Sequence, residues 1–351
     1  MMWRVSSCSW PAMPLRMSPA VRSPSTVERP TSSLSLRSNL MLDGITQQHT
    51  IPDELLGPLV EATSCLSEPE LLRRSFADNG YVLLRDVLPQ DDVLAARREV
   101  FARLAEMDEI LAPVEAGIAT GTSRRRERSP DLGAFWKSVS EGAALRHVTH
   151  GPRLRELTGL LFDAPARPHD YLFLRPAPAG NATNLHYDYP FFAGGASQIV
   201  TCWLPLGEIP ICDGPLVVVE HSQCFDDLIA PMRAARLTGD PRAFAAAQDI
   251  AYQASTTDTL AFARSRQTRL LTTHFQPGDA MIFGGFTMHG SLDNHSPLSR
   301  VRLSVDVRYQ PAADLADDPR FFGTNPLGAK GGSYGEQKAA QPLGTPWIAR
   351  Q

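Results

Sequence analysis

Long apolar runs are missing from this 351-residue chain: no stretch of about 18 uninterrupted apolar residues occurs, so no membrane-spanning helix is expected. Cysteine is scarce. Cys8, Cys65, Cys202, Cys212 and Cys224 are odd in number, widely spaced and without a C-x-x-C pair. That pattern argues against a zinc knuckle or a disulfide framework and suits a reducing, cytoplasmic compartment. Neither sign of charge prevails, with 34 Lys and Arg against 38 Asp and Glu. No nucleic-acid or membrane-surface partner is therefore expected. The longest basic run, Arg124-Arg125-Arg126-Glu127-Arg128, is short and reads as a solvated loop, with contact to an anionic substrate as the alternative. No internal repeat is present. Residues 1 to about 40 are rich in Ser, Pro and Arg, hold a single acidic residue, Glu28, and lack the apolar run of a secretory signal. The composition could pass for an organelle transit peptide. Residues 1–50 are instead read as a disordered leader, or as a start assigned too early with Met41 the true beginning.

What remains is ample for one core, since 43% of the residues are hydrophobic. Folded sequence is expected from about Asp53, in one unit over 51–325. Its helical first third, 51–165, opens with Ser67-Glu68-Pro69-Glu70, where Ser67 could cap a helix that ends at Asn79-Gly80. A short strand follows at 81–84, then helices from Pro89 and over about 145–161. From Tyr171 the pattern turns to short strands at 171–174, 185–192, 199–206, 216–219, 270–275, 280–283 and 301–309, separated by Gly, Pro, Asn and Asp turns. A mainly β fold with flanking helices follows: a double-stranded β-helix, or cupin-like jelly-roll, over 170–312. Residues 225–266 are Ala- and Arg-rich at helical spacing, with Asp240-Pro241 as a helix start, and read as a helical insertion over a pocket. The Gly-rich end, 326–351, reads as a loosely packed tail.

The chemistry centres on His186-Tyr187-Asp188. On a strand, residues two apart share a face, so the imidazole and the carboxylate stand side by side. A lone H-x-D is common; a third ligand is required, and His289 is the best candidate. Two histidines and one carboxylate on one face of an octahedron leave three open positions, the ligand set of non-haem Fe(II) oxygenases. A chelating dicarboxylate such as 2-oxoglutarate would occupy two of them, leaving one for O2. Its far carboxylate needs a cation, best an arginine. Arg300, Arg302 and Arg308 share one parity on the last strand, opposite Val301, Leu303, Val305 and Val307. Arg300 is preferred, the other two are rivals, and a solvated outer face is the bland alternative. His49, His147, His150, His169, His274 and His295 fall outside the pattern and are read as structural, as is His221. Tyr187, Tyr189, Phe191 and Phe192 could line a substrate pocket, although aromatic residues on a strand are more often core.

These blocks, in this order, resemble the phytanoyl-CoA dioxygenase family from about residue 70 to about 312. The resemblance rests on the helix–strand–helix around 75–88, His186-Tyr187-Asp188, Cys202-Trp203-Leu204-Pro205-Leu206, Asp213-Gly214-Pro215-Leu216, Pro277-Gly278-Asp279, and His289-Gly290-Ser291-Leu292-Asp293-Asn294-His295-Ser296 with Arg300. It implies an Fe(II)- and 2-oxoglutarate-dependent dioxygenase with His186, Asp188 and His289 as iron ligands. It further implies Arg300 on the distal carboxylate, Ser291 beside it, Trp203 near the co-substrate, and Asn294 in the same loop. Glu220-His221-Ser222-Gln223 departs from the family's Pro-Gly-Ser-His. A carboxylate at Asp188 argues against halogenation, because related halogenases carry a small residue there. Hydroxylation of an aliphatic C–H in a small molecule (an acyl-CoA, an amino acid or a secondary metabolite) is the expected reaction. The rivals are a binding barrel with a vestigial metal site and a cupin-like enzyme that does not use 2-oxoglutarate.

Overall fold

The structure is a computed structural model that describes residues 44–192, 196, 198–238, 240–256 and 258–345. Most of the leader, residues 1–43, lies outside them. Helix α1, Pro69–Asn79, starts on a proline in its first turn and ends at Gly80, whose φ of 78° is the left-handed geometry that glycine adopts without penalty. Ser67 does not cap it; Glu68 holds that position, with no side-chain cap. Helix α2, Gln90–Ala105, buries Val93, Ala96, Val100, Phe101 and Leu104 along one stripe. Helix α3, Leu132–Ser140, is capped by Asp131, whose carboxylate accepts from Ala134 N at 2.9 Å. The helix expected near 145–161 is two, α4, Ala143–His150, and α5, Pro152–Phe162. Pro152 disfavours helical backbone at Gly151 and breaks the run.

The strands are β1 (Leu56–Pro58), β2 (Tyr81–Leu84), β3 (Ala166–Pro168), β4 (Phe173–Ala177), β5 (Val200–Pro205), β6 (Leu216–Val219), β7 (Leu270–Thr272), β8 (Ala280–Gly284), β9 (His289–Ser291) and β10 (Arg302–Pro311). They form two sheets. The larger runs β2-β8-β5-β10-β3, with β4 also paired to β10; the smaller runs β9-β6-β7-β1. Tyr81, Leu83, Trp203, Met281 and Phe283 of the larger sheet meet Leu216, Val218 and Leu271 of the smaller in one apolar cluster. The sheets therefore pack face to face, the jelly-roll arrangement. The outer face of the larger sheet, including Val301, Leu303, Val305 and Val307, packs with residues of α1 to α5. Between β6 and β7 come α6 (Asp226–Thr238), α7 (Pro241–Thr256) and α8 (Thr259–Arg266), the expected insertion, whose apolar residues pack with Val217, Val219 and Leu270.

Three expectations are corrected. Residues 185–192 are not one strand: His186 makes an isolated bridge to His289, and Tyr189–Phe192 form a turn of helix. Pro190 has no N–H for a ladder. Order begins before Asp53, in a hairpin pairing Ile45–Thr46 with His49–Thr50, whose turn is held by Asp293 accepting from Gln47 N and Gln48 N at 3.1 and 2.7 Å. The C-terminal segment, as far as residue 345, is packed rather than loose. Tyr334 and Ala340 are buried, Gln337 accepts from Trp136 Nε1 and donates to Leu172 O, and Arg125 Nη1 donates to the carbonyls of Ala339, Ala340 and Gln341. Arg125, read as a loop residue, is thus a buried clasp on this segment, its charge met by Glu109 at 2.5 Å.

Candidate metal centre and co-substrate site

His186 and His289 face each other across a reciprocal backbone pair, N to O at 2.9 and 3.0 Å, with ring centroids 4.4 Å apart. Each ring is oriented the same way. His186 Nδ1 lies 2.8 Å from Asn184 O, and His289 Nδ1 lies 2.9 Å from Thr287 O. A carbonyl only accepts, so each Nδ1 carries the hydrogen and each Nε2 presents a lone pair. Burial, reinforced by His186, pushes His289 down to about 4, keeping the ring neutral. Phe283 packs against it at 4.2 Å.

Asp188 completes the group. Its Oδ1 lies 3.6 Å from His186 Nε2 and 3.9 Å from His289 Nε2, and one ligand atom from each residue falls within 4.8 Å of the others. The second oxygen is occupied: Oδ2 accepts from Thr201 Oγ1 at 2.6 Å and from Arg308 Nη2 at 2.7 Å. Oδ1 is left as the inward donor. Burial alone would raise Asp188, but Arg308 and the two histidines outweigh it and hold the carboxyl well below its usual range. Two imidazole Nε2 atoms and one carboxylate oxygen form a donor set that fits Fe(II) and leaves one side open.

The rest of the inner face is built by β10, where alternate residues Arg302, Ser304, Asp306 and Arg308 turn inward and all are buried. The bland reading, arginines on a solvated face, is thereby excluded for Arg302 and Arg308, which are 3% and 1% exposed. Asp306 pairs with Arg175 of β4 at 2.6 Å and lies 3.9 Å from Arg308. Arg308 is sandwiched between the rings of Phe173 and Phe192 at 4.6 and 4.2 Å. Among the described residues Arg302 has no carboxylate partner: Nη1 donates to Ser304 Oγ at 2.7 Å, while Nε and Nη2 are buried and unsatisfied. Burial and the neighbouring Arg175 pull its guanidinium down to about 10. Buried Arg302 and Arg308 and the partly buried Arg175 thus stand beside only two carboxylates, Asp188 and Asp306, and a dicarboxylate would add negative charge there.

Arg300, the anchor that the resemblance implies, lies apart from this inward row. It precedes β10, after Ser299 in a left-handed turn (φ 55°), and its Nε lies 2.8 Å from Asp213 Oδ2. Its charge is therefore already met by a protein carboxylate. Ser291 stands two residues after His289 on β9, and its Oγ accepts from Thr183 N at 2.8 Å, leaving the hydroxyl hydrogen for a ligand. Trp203 lies opposite Asp306 in the β5–β10 register, between the sheets against Phe275 at 4.7 Å. Asn294 is a staple: Nδ2 donates to Ala177 O and Arg300 O, and Oδ1 accepts from Ser296 N. Thr201, Arg175 and Asp306 were not singled out from sequence. For Asp306 a signal existed, since it shares the parity of Arg302 and Arg308.

A cavity of about 230 Å³ opens on His186 and Asp188. Its walls include β4, the segment 182–192, Tyr252 of the insertion and residues 329–330 and 336–339 of the C-terminal segment. Among the described residues, no helix is long and apolar enough to cross a membrane.

The chain matches the family model described as phytanoyl-CoA dioxygenase over residues 76–301. It is 26% identical to a 1-deoxypentalenic acid 11-beta-hydroxylase of Streptomyces exfoliatus over 287 residues, which cover 74% of this chain and 87% of the relative. The same-named protein of Streptomyces arenae is 23% identical over 280 residues, 72% and 85% of the two chains. A solved non-heme alpha ketoglutarate dependent carbocyclase, SnoK from nogalamycin biosynthesis, aligns at 19% identity and a TM-score of 0.46 over 74% of this chain and 88% of its own. The match spans most of the folded residues and contains the two histidines, the aspartate and the strands that present them. The protein is a member of the phytanoyl-CoA dioxygenase family, an Fe(II)- and 2-oxoglutarate-dependent dioxygenase that acts on a small organic substrate.

Proposed function

We propose that His186, Asp188 and His289 are the iron ligands, that Arg302 rather than Arg300 grips the distal carboxylate of 2-oxoglutarate, and that the reaction is hydroxylation of an aliphatic C–H. The observation that carries this reading is a triad of metal-ligand atoms, with Asp188 and His289 buried and His186 partly so, and an unsatisfied buried arginine on the same inner face. Iron and 2-oxoglutarate, once bound, supply oxidising power from O2 that no side chain here possesses. The chain supplies placement. Thr201 and Arg308 turn Asp188 so that one oxygen faces the metal position, and the carbonyls of Asn184 and Thr287 fix both imidazole tautomers. Ser291 and Trp203 are assigned to the walls of the co-substrate site. Phe173, Phe191 and Phe192 screen the open side from water. The intact donor set speaks against a vestigial site, and Arg302 speaks against a metalloenzyme that makes no use of a dicarboxylate. Hydroxylation is favoured by the likeness to the Streptomyces hydroxylases.

The test is succinate formation from 2-oxoglutarate together with Fe(II) binding. His186→Ala and His289→Ala are expected to abolish both. Arg302→Met should retain iron but require at least about tenfold more 2-oxoglutarate, the loss expected for a charge-assisted pair. Arg300→Met should leave that requirement unchanged. Full turnover without either histidine would refute the ligands, and an Arg300→Met effect larger than that of Arg302→Met would return the anchor to Arg300.

A further inference from the structure

Arg308 holds one oxygen of Asp188, yet hydrogen bonds do little to fix Arg308 itself. Its Nη2 donates to Asp188 Oδ2 at 2.7 Å. Nε and Nη1 are buried and have no hydrogen-bond partner among the described residues. The carboxylate of Asp306 lies 3.9 Å from Nη1, past hydrogen-bonding reach. A guanidinium held at one corner is free to swing about that contact. Aromatic rings restrain it. The guanidinium carbon lies over Phe192 at 4.2 Å and over Phe173 at 4.6 Å from the ring centroids. The two rings are inclined to each other at 80°, so together they block two directions of movement.

The support runs deeper. Phe192 rests on Phe321 at 5.1 Å, and Phe321 stacks on the His169 imidazole at 5.1 Å and 23°. His169 is pinned twice to β10: its backbone N donates to Arg308 O at 2.8 Å, and its Nε2 lies 3.0 Å from Gln310 Oε1. The chain of rings thus returns to the strand that bears Arg308. Arg308 and Phe321 both lie beyond residue 301, where the match to the family model ends. Phe173 and Phe192 also line the cavity, together with His186 and Asp188.

We infer that Phe192, backed by Phe321 and His169, is a positioning residue of the metal centre: its ring face holds the Arg308 guanidinium, which in turn holds Asp188 with one oxygen toward the metal position. This deepens the proposed function and rests on its ligand assignment. An aliphatic side chain of similar size would fill the same space, but only a ring face attracts a cation. The attraction is strongest for a desolvated guanidinium, and Arg308 is 1% exposed. Cavity wall and ligand support are then one object, so a molecule filling the cavity leans on the rings that steer the carboxylate.

The test separates attraction by the ring from the filling of space. Fe(II) affinity is measured by anaerobic equilibrium dialysis for the wild type, Phe192→Leu, Phe321→Leu and a protein carrying trifluorophenylalanine at position 192. The fluorinated ring keeps its shape but loses its negative face. Phe192→Leu is expected to weaken affinity at least about tenfold, the scale for groups behind metal ligands. The fluorinated ring should weaken it roughly threefold or more, and Phe321→Leu should act in the same direction. A second readout follows Arg308 in metal-free protein containing isotopically labelled arginine. Its Nε–H resonance, identified as the signal missing from Arg308→Lys, should be displaced by ring currents and return toward that of free arginine in both leucine variants. Unchanged affinity with the fluorinated ring, an Arg308 resonance indifferent to Phe192→Leu, or a Phe321→Leu variant with no effect on either readout would overturn the inference. Failure of the underlying reading is separable: it would appear as His186→Ala binding Fe(II) as tightly as the wild type.

Discussion

At the scale of single residues, the two oxygens of Asp188 divide the labour of the centre. One is consumed by Thr201 and Arg308, so only the other can face a metal. Removing one of the two donors should leave Asp188 charged but free to rotate. Thr201→Val, close in shape, is expected to weaken Fe(II) affinity by roughly 10–100-fold, the usual scale for partners behind metal ligands. Equilibrium dialysis against Fe(II) checks this, and unchanged affinity would mean that Arg308 alone orients the carboxylate. The histidine and aspartate positions were readable from sequence because a two-residue spacing needs only local strand geometry. Thr201 was not readable. Its role depends on the β5–β10 register, which sets it opposite Arg308 across more than a hundred residues of chain.

At the scale of elements, β10 shows where sequence periodicity stops being informative. Alternation correctly separates Val301, Leu303, Val305 and Val307 from the arginines, yet Arg300, Arg302 and Arg308 share one parity and no pattern ranks them. What ranks them is the left-handed turn at Ser299 and the carboxylate of Asp213, supplied by a segment 87 residues earlier. The strand expected at 185–192 failed on one residue, Pro190, inside an otherwise strand-like aromatic run. Strand β9 gives an element-scale prediction. A Cβ on Gly290 would sit 2.6 Å from Thr183 O, so the strand carrying His289 would have to move. Gly290→Ala is expected to lower iron affinity at least about tenfold. Retention of full affinity would show that the 182–184 segment yields instead.

At the scale of the whole molecule, three histidines in different places, His169 and His289 buried and His150 partly so, are held neutral. Burial holds His150 down to about 3, and His169 and His289 down to about 4. In the unfolded chain each returns to about 6.5. Between those values the unfolded chain binds protons that the folded one refuses, so stability must fall as the pH is lowered through that window. The loss should reach about 2 kcal/mol per histidine by pH 5. Urea denaturation of the metal-free protein at pH 7.5 and pH 5 measures it, and an unchanged midpoint would contradict the buried neutral rings. The C-terminal segment also belongs to this scale. Its glycines conceal Tyr334 and Gln337, whose partners Leu172 and Trp136 lie far away in sequence, so composition alone suggested a loose end. A last whole-molecule link runs the other way, from the hairpin at 45–50 to Asp293, in the loop between His289 and Arg302. Trimming the polypeptide to begin after Thr50 would strip Asp293 of the two amides it binds, slackening a tether that spans His289 and the arginine proposed for the co-substrate. Affinity for both would then decline together, from damage inflicted at the opposite end of the chain.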